Sequence, residues 1–216
     1  MLEQLRKVPR IRGNLIVISG PSGSGKDSVL SVVRQEVPNL AYSVSATTRP
    51  PREGEVDGVH YFFLTREEFL ARKAAGEFLE TAEFCGNLYG TPRGFVEGKL
   101  GKGEDVVMDI EIIGADQVRS AMPDAVAIFL MPPSLAELRA RLGKRGADSP
   151  EATRGRLRKA VKEIPAVLRY DYVVLNYDLE QAAEEIRSII VAERVRVGKC
   201  DCDRLVRGFQ KESRNL

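Results

Sequence analysis

Short apolar runs alternate with helical patterns along most of the chain. The first run, 14–19, stops at a glycine-rich segment, and a helical pattern follows it from Val29 to Val33. Later runs predict strands at Asp105–Asp109, 125–130 and Tyr172–Leu175. Helical patterns predict helices at 115–121 and Leu179–Arg194. This alternation predicts an α/β fold in which a parallel sheet carries helices on both faces.

Two segments differ from this pattern and divide the predicted domain at 13–196. Residues 42–91 contain short strand-like runs with one helical pattern at 66–75, which predicts an inserted α+β lobe. Residues 134–168 are helical and basic and are broken at Gly143, Gly146 and Pro150, which predicts a hinged, cationic lid. The core is then formed by 13–41, 92–133 and 169–196. The basic tail at 197–216 is expected to be frayed.

Composition and charge narrow the class of protein. Apolar residues at 43% and charged residues at 30% exclude a disordered chain. The net charge of +2 is too small for a uniformly basic nucleic-acid-binding surface. No apolar stretch reaches the roughly 18 residues that would span a membrane, and the three cysteines fit free thiols in a reducing compartment. We therefore expect a cytoplasmic protein with no nucleic-acid, membrane or obligate protein partner.

The segment between the first strand and its helix has the pattern Gly-X-X-X-X-Gly-Lys. Glycines let such a loop fold tightly around an anion, and the helix N-terminus adds its positive end. Lys26 can then reach the β- and γ-phosphates of a nucleotide. Asp27 occupies the position where Ser or Thr is expected, so we assign Asp27 or Ser28 to a Mg²⁺ ion. The predicted ATP-binding residues of this loop are Gly20, Pro21, Ser22, Gly23, Ser24, Gly25, Lys26, Asp27 and Ser28.

A proline-stiffened turn carries Arg49 and Arg52, three residues apart. Guanidinium groups pair with phosphate through bidentate, charge-assisted hydrogen bonds, so this turn can hold a monophosphate. Tyr61 and Tyr89 can donate hydroxyl hydrogen bonds to the same phosphate. A solvated loop, and tyrosines packed in a small core, are the alternative interpretations of this segment.

Five motifs between residues 20 and 111 together resemble guanylate kinases, and the match runs in order from about residue 13 to 195. The motifs are GPSGSGK at 20–26, SVSATTRPPR at 43–52, GEVDGVHYFF at 54–63, GNLYGT at 86–91 and DIE at 109–111. The resemblance implies a P-loop kinase core, a GMP-binding lobe and a mobile lid. It also implies transfer of the γ-phosphoryl group of ATP to GMP or dGMP with Mg²⁺.

The resemblance further implies roles for particular residues. Arg49, Arg52, Tyr61 and Tyr89 match residues that hold the GMP phosphate, and Ser45, Glu80, Thr91 and Glu111 match residues around the guanine. Asp109 matches an acid beside the acceptor and the metal. Asn176 matches a residue on the adenine side, and the lid arginines that close over the phosphates match Arg141, Arg145 and Arg156. Phosphoryl transfer needs mainly alignment and charge neutralisation, for which the catalytic candidates are Lys26, Arg49, Asp109 and these lid arginines.

The assignment of Glu80 also follows from base chemistry. Guanine presents N1–H and N2–H₂ donors, whereas adenine presents an acceptor at N1, so a carboxylate accepts from guanine and repels adenine.

Two positions depart from the guanylate kinase pattern, and two other functions remain open. Asp27 replaces the usual hydroxyl residue, and Ile113 stands where a glutamine is common. A ribose 1,5-bisphosphate phosphokinase would explain Asp27, but it would not explain the Arg49 turn or the carboxylates assigned to guanine. A guanylate-kinase-like binding module without catalysis usually loses phosphate-loop residues, whereas this chain keeps Lys26.

Overall fold

The computed structural model describes residues 10–144 and 150–213, without the side chains of residues 144 and 150. Its larger sheet has five parallel strands in the order β2-β7-β1-β8-β9. These strands are β1 (Leu15–Ser19), β2 (Leu40–Tyr42), β7 (Asp105–Asp109), β8 (Val126–Met131) and β9 (Tyr172–Leu175). The central strand β1 pairs Ile16 with Val107 on one side and with Val126 on the other. The polar loops after these strands therefore meet at one edge of the sheet.

Both faces of the parallel sheet are covered by helices. Side chains alternate across β1, so Ile16 and Ile18 pack on one face while Leu15 and Val17 pack on the other. The first face is covered by α1 (Lys26–Glu36) and α7 (Leu179–Arg194), and the second by α3 (Arg93–Gly101) and α4 (Ile112–Ala121). The α/β class predicted from the sequence is confirmed.

A second sheet of four strands has the order β4-β3-β6-β5. Its strands are β3 (Ala46–Thr47), β4 (Phe62–Phe63), β5 (Phe78–Phe84) and β6 (Asn87–Pro92), and α2 (Arg66–Ala74) covers it. The small core beneath α2 contains Phe69 stacked on Phe78, with ring centroids 4.5 Å apart. Thr65 and Glu68 begin α2 with a capping box, which satisfies two backbone donors of its first turn.

The lid segment forms two helices, α5 (Leu135–Lys144) and α6 (Pro150–Glu163). Leu138 and Leu142 of α5 pack on Ala160 of α6. We propose the division into a core, an inserted lobe at 42–91 and a lid at 134–168, because the mixed sheet and the helix pair take their residues almost wholly from these two segments.

The prediction of a frayed tail is wrong for the described residues up to 213. A helix, α8 (Cys202–Ser213), follows a 3-10 turn at Val197–Lys199. Asp201 caps the N-terminus of this helix, and its carboxylate accepts a hydrogen bond from Arg204 N at 3.0 Å. Leu205, Val206 and Phe209 repeat at helical spacing, a short signal that the polar composition of the tail obscured. Among the described helices, none has the length and apolar character needed to cross a bilayer.

Candidate active site

The glycine-rich loop, residues 20–25, connects β1 to α1 and is closely packed from behind. A Cβ on Gly20 would lie 2.2 Å from the Leu130 carbonyl oxygen, and one on Gly25 would lie 2.5 Å from Asn176 Nδ2. Gly25 also has φ of +91°, a conformation that favours glycine. Lys26 Nζ donates to the Gly20 carbonyl at 3.0 Å, so its ammonium lies over the loop. The backbone amides and a cation thus converge where a phosphate would bind.

Asn176 and Arg141 hold this loop from two distant parts of the chain. Asn176 is buried, and its Nδ2 donates to the Ser24 carbonyl at 2.7 Å. Arg141 Nη2 donates to the Asn176 carbonyl at 2.8 Å, while Arg141 Nε pairs with Glu137 at 2.8 Å. These contacts join α5 and the segment after β9 to the phosphate loop. Sequence matching gave both residues a role with nucleotide but did not predict this support of the loop backbone.

The other two predicted lid arginines are Arg156 and Arg145. Arg156 lies on α6 and is half-buried. Arg145, for which a role in the lid was predicted, lies outside the described residues.

Two acidic side chains meet beside Lys26. Asp109 ends β7, and its carboxyl shares a hydrogen bond with that of Asp27. Burial raises the pKa of Asp109 to about 6, the Lys26 charge opposes that rise, and Asp27 adds to it. Burial and the charge of Asp109 likewise raise the pKa of Tyr42 to about 12. The predicted pair Lys26 and Asp109 is therefore brought together, with Asp27 as an additional carboxylate.

A cavity of about 170 Å³ lies over the loop and is closed in part by the lid. Its walls include Glu111 from the N-terminus of α4, and Lys159 and Glu163 from α6. Lys159 Nζ lies 3.5 Å from carboxylate oxygens of both acids. The sequence analysis placed Glu111 near guanine; in this structure its exposed carboxylate faces a lid lysine that sequence reasoning missed.

The arginine turn is held by an acid that the sequence analysis did not assign. Arg49 forms a bidentate pair with Glu55, with both N–O distances 2.9 Å, and Glu55 also accepts from Arg52 N at 2.7 Å. The hydrogen bond from Arg49 holds the pKa of Glu55 at about 2. The Arg49 guanidinium lies over the Tyr61 ring, 5.3 Å from its centroid, and hydrogen-bonds Tyr89. Arg49, Tyr61 and Tyr89 are thus brought together, and Arg52 is exposed at the end of the turn.

Two of the residues predicted for the purine, Glu80 and Thr91, form a separate, buried pair. Glu80 on β5 is 6% exposed and accepts a hydrogen bond of 2.8 Å from Thr91 Oγ1 on β6. Burial raises the pKa of Glu80, against the hydrogen bonds from Thr91. Gly114 of α4 packs against this carboxylate, since a Cβ there would lie 3.1 Å from Glu80 Oε2. Ser45 lies just before β3 of the same lobe.

Comparison with known proteins decides the family. The family model for guanylate kinase matches residues 12–193. This chain belongs to the guanylate kinase family. The guanylate kinase of Symbiobacterium thermophilum is 52% identical over 185 residues, covering 86% of this chain and 88% of that protein. The guanylate kinase of a Synechococcus strain is 50% identical over 188 residues, 87% of each chain.

A solved structure agrees with these relatives. The crystal structure of guanylate kinase from Anaplasma phagocytophilum has a TM-score of 0.71 and 36% identity, covering 91% of this chain and 94% of that one. The predicted family and the enzyme class, a nucleoside monophosphate kinase of the guanylate kinase type, are confirmed. Family membership favours this reading over the sugar-phosphate kinase that Asp27 alone suggested.

Proposed function

We propose that this guanylate kinase family member transfers the γ-phosphoryl group of ATP to GMP and dGMP, giving ADP and GDP or dGDP. The observation that carries the acceptor assignment is the buried Glu80 carboxylate with its Thr91 hydrogen bond. A carboxylate at this depth accepts from the N1–H and N2–H₂ groups of guanine. Adenine would leave its charge buried and unpaired, which is costly.

The donor side of the reaction is assigned to the phosphate loop. Its backbone N–H groups bind the β-phosphate, and Lys26, now bonded to the Gly20 carbonyl at 3.0 Å, turns toward the β- and γ-phosphates. Asn176 and Arg141 bind the Ser24 carbonyl on the side of the loop away from the phosphates. The backbone N–H groups of the loop then point toward the phosphates. Pre-formed donors of this kind stabilise transition-state charge without reorganisation.

The acceptor phosphate is assigned to the turn with Arg49 and Arg52. Arg49 is fixed by Glu55 and by the rings beneath it, while the exposed Arg52 side chain is available to close on a phosphate. Tyr61, just before β4, and Tyr89 on β6 add hydroxyl donors from the same lobe. With the purine held by Glu80, these contacts fix both ends of the acceptor nucleotide, which is the alignment that phosphoryl transfer requires.

The residues at the first turn of α1 fit a Mg²⁺ ion. Asp27 and Asp109 share a hydrogen bond, and a divalent cation satisfies such a pair of oxygens in place of a proton. Within residues 10–144 and 150–213 no three His, Cys, Asp or Glu side chains form a metal-binding group. Mg²⁺ is usually held by one or two protein groups together with substrate phosphates. Asp27, Asp109 and Ser28 are the candidates, and the ion would neutralise charge on the transferred phosphoryl group.

The lid is assigned to closure over the two phosphates. Arg141 and Arg156 lie on its two helices, and Lys159 brings a further positive charge to the cavity over the loop. Closure excludes water and so limits hydrolysis of ATP before the acceptor binds.

A coupled ATP-turnover assay tests the proposal. Purified protein with Mg²⁺-ATP is offered GMP, dGMP, AMP, UMP or ribose 1,5-bisphosphate. We expect turnover with GMP and dGMP and little with AMP or UMP. Turnover with the sugar bisphosphate instead would select that kinase activity, and binding of nucleotides without turnover would indicate a non-catalytic module.

A further inference from the structure

Gln117 joins the core of the molecule to the strand that carries Glu80. It lies on α4 of the core, and its side-chain amide makes two hydrogen bonds to the backbone of Thr81 on β5, 36 residues earlier. Thr81 N donates to Gln117 Oε1 at 3.0 Å, and Gln117 Nε2 donates to the Thr81 carbonyl at 3.1 Å. The glutamine therefore satisfies both polar groups of one peptide residue, as a neighbouring strand would.

This contact occurs where the sheet itself holds β5 least firmly. β5 is an edge strand, so one of its sides has no partner among the described strands. Its pairing with β6 is also irregular, because Phe78 pairs with Pro92 and Thr81 with Gly90, which leaves one extra residue on β5. Glu80 lies in that irregular segment. The ladder alone therefore does not fix the direction in which the Glu80 carboxylate points.

Two residues of α4, one turn apart, touch β5 at consecutive positions. Gly114 packs against the Glu80 side chain, at 3.1 Å from Oε2 to the position of a Cβ, and Gln117 binds the backbone of Thr81. A glycine gives the carboxylate room, and the glutamine fixes the backbone one residue further along. Together they set how deep the carboxylate lies and which way it faces.

We propose that Gln117 is a positioning residue for purine selection: it fixes β5 at Thr81 so that the Glu80 carboxylate faces N1 and N2 of the base. The role rests on the proposed acceptor, GMP. Gln117 binds the backbone of Thr81 and acts through Glu80. Misplacing a binding group by about 1 Å can reduce the rate a hundredfold, so loss of the amide contact should be visible in acceptor kinetics.

The test replaces Gln117 by Met, which keeps the length of the side chain and removes both hydrogen bonds. For Gln117→Met we expect KM for GMP to rise about tenfold and the GMP-over-AMP ratio of kcat/KM to fall about tenfold. KM for ATP, and kcat at saturating GMP, should stay within about twofold, which a general loss of structure would not allow. Gln181→Met is the matched control, since the side-chain amide of that exposed residue on α7 donates to Glu185 of the same helix, and it should change none of these values.

Two further variants keep the test decisive. If Gln117→Met is recovered poorly, Gln117→Asn takes its place in the test. It keeps the amide group but is one methylene too short to reach Thr81, so it should show the same selective loss. In a Glu80→Gln background, Gln117→Met should add little, because both changes act on the same contact.

Unchanged KM and selectivity in a folded Gln117→Met protein, or equal losses for ATP and GMP, would overturn the positioning role. Failure of the unmodified protein to phosphorylate GMP would instead overturn the proposed function itself, so the two failures are distinguishable.

Discussion

The side-chain amide of Asn176 donates a 2.7 Å hydrogen bond to the carbonyl of Ser24, which lies 152 residues earlier in the chain. The contact is buried, and the same amide nitrogen lies 2.5 Å from the position of a Cβ on Gly25. The shape of the phosphate loop is therefore fixed partly by a residue that follows the last strand of the parallel sheet.

Asn176→Ala should weaken ATP binding more than GMP binding. It removes the shorter of two hydrogen bonds to the buried Ser24 carbonyl and leaves the 3.4 Å contact from Arg141 Nη1, at a cost of up to about 3 kcal/mol, and it loosens the loop that binds the donor. We expect KM for ATP to rise roughly tenfold while KM for GMP changes within about twofold. Asn87→Ala is the control, because Asn87 Nδ2 donates to the Cys85 carbonyl in an exposed turn, at 3.3 Å. Equal changes in both Michaelis constants would contradict this role.

Gly25→Ala should greatly reduce activity without unfolding the protein. The added methyl group meets the Asn176 amide at 2.5 Å, and the backbone has φ of +91°. Strain of this kind costs on the order of 1–3 kcal/mol, and we expect kcat/KM to fall at least a hundredfold. For Gly98→Ala in α3, no atom of residues 10–144 and 150–213 beyond the adjoining helix backbone lies within 4 Å of the new methyl group. That control should keep its activity and gain about 0.5–1 kcal/mol in free energy of unfolding. Similar kinetics for both variants would refute the argument.

Glu80→Gln should reduce the preference for GMP over AMP. The amide oxygen still accepts one hydrogen bond, but the NH₂ group faces a donor of guanine and matches the N1 acceptor of adenine. We expect the GMP-over-AMP ratio of kcat/KM to fall by a factor of about 100, in line with the cost of leaving polar groups unpaired. Glu83→Gln is the control, because Glu83 lies on the same strand and is exposed. Unaltered selectivity would remove Glu80 from base recognition.

Asp109→Asn should stabilise the protein at high pH and inactivate it. Burial raises the pKa of Asp109 from its ordinary value to about 6, so the folded state holds this proton more tightly than the unfolded state. Protonated Asp109 therefore stabilises the folded state at low pH, and this stabilisation is lost as the pH rises through about 6. A neutral amide avoids that loss, and we expect Tm at pH 8, without metal or nucleotide, to rise by roughly 2–4 °C. The gain should shrink at pH 4, and a gain that is independent of pH would be inconsistent with this cause.

Asp27→Ser tests the residue that departs from the family pattern. Removing the second carboxylate should lower the pKa of Asp109 toward its ordinary value, which NMR titration of the metal-free protein can measure. Serine supplies the hydroxyl that is expected at this position, so Mg²⁺-ATP affinity should stay within a few-fold. A large loss of affinity would assign Asp27 an essential contact with the ion.

Local patterns predicted many elements closely. The strands Asp105–Asp109 and Tyr172–Leu175 and the helix Leu179–Arg194 have the predicted bounds. Their apolar residues repeat with the period of a strand or a helix, which depends only on neighbours in sequence. The tail helix was missed because a polar, basic composition outweighed one apolar stripe. The strand-like runs of the inserted lobe include strands as short as two residues, β3 and β4, whose ends a periodic pattern does not define.

The sequence by itself determined the phosphate loop, the arginine turn and the family, because each is identified by motifs whose residues are close together in the chain. The tertiary structure decided which other groups support them: Glu55 pairs with Arg49, Asn176 bonds the Ser24 carbonyl, and Gln117 binds Thr81 beside Glu80. Two of these three pairings join residues separated by 36 and 152 positions. A periodic sequence pattern does not predict these two pairs, since they form only after the order of the strands and the direction of each crossover have brought the segments together.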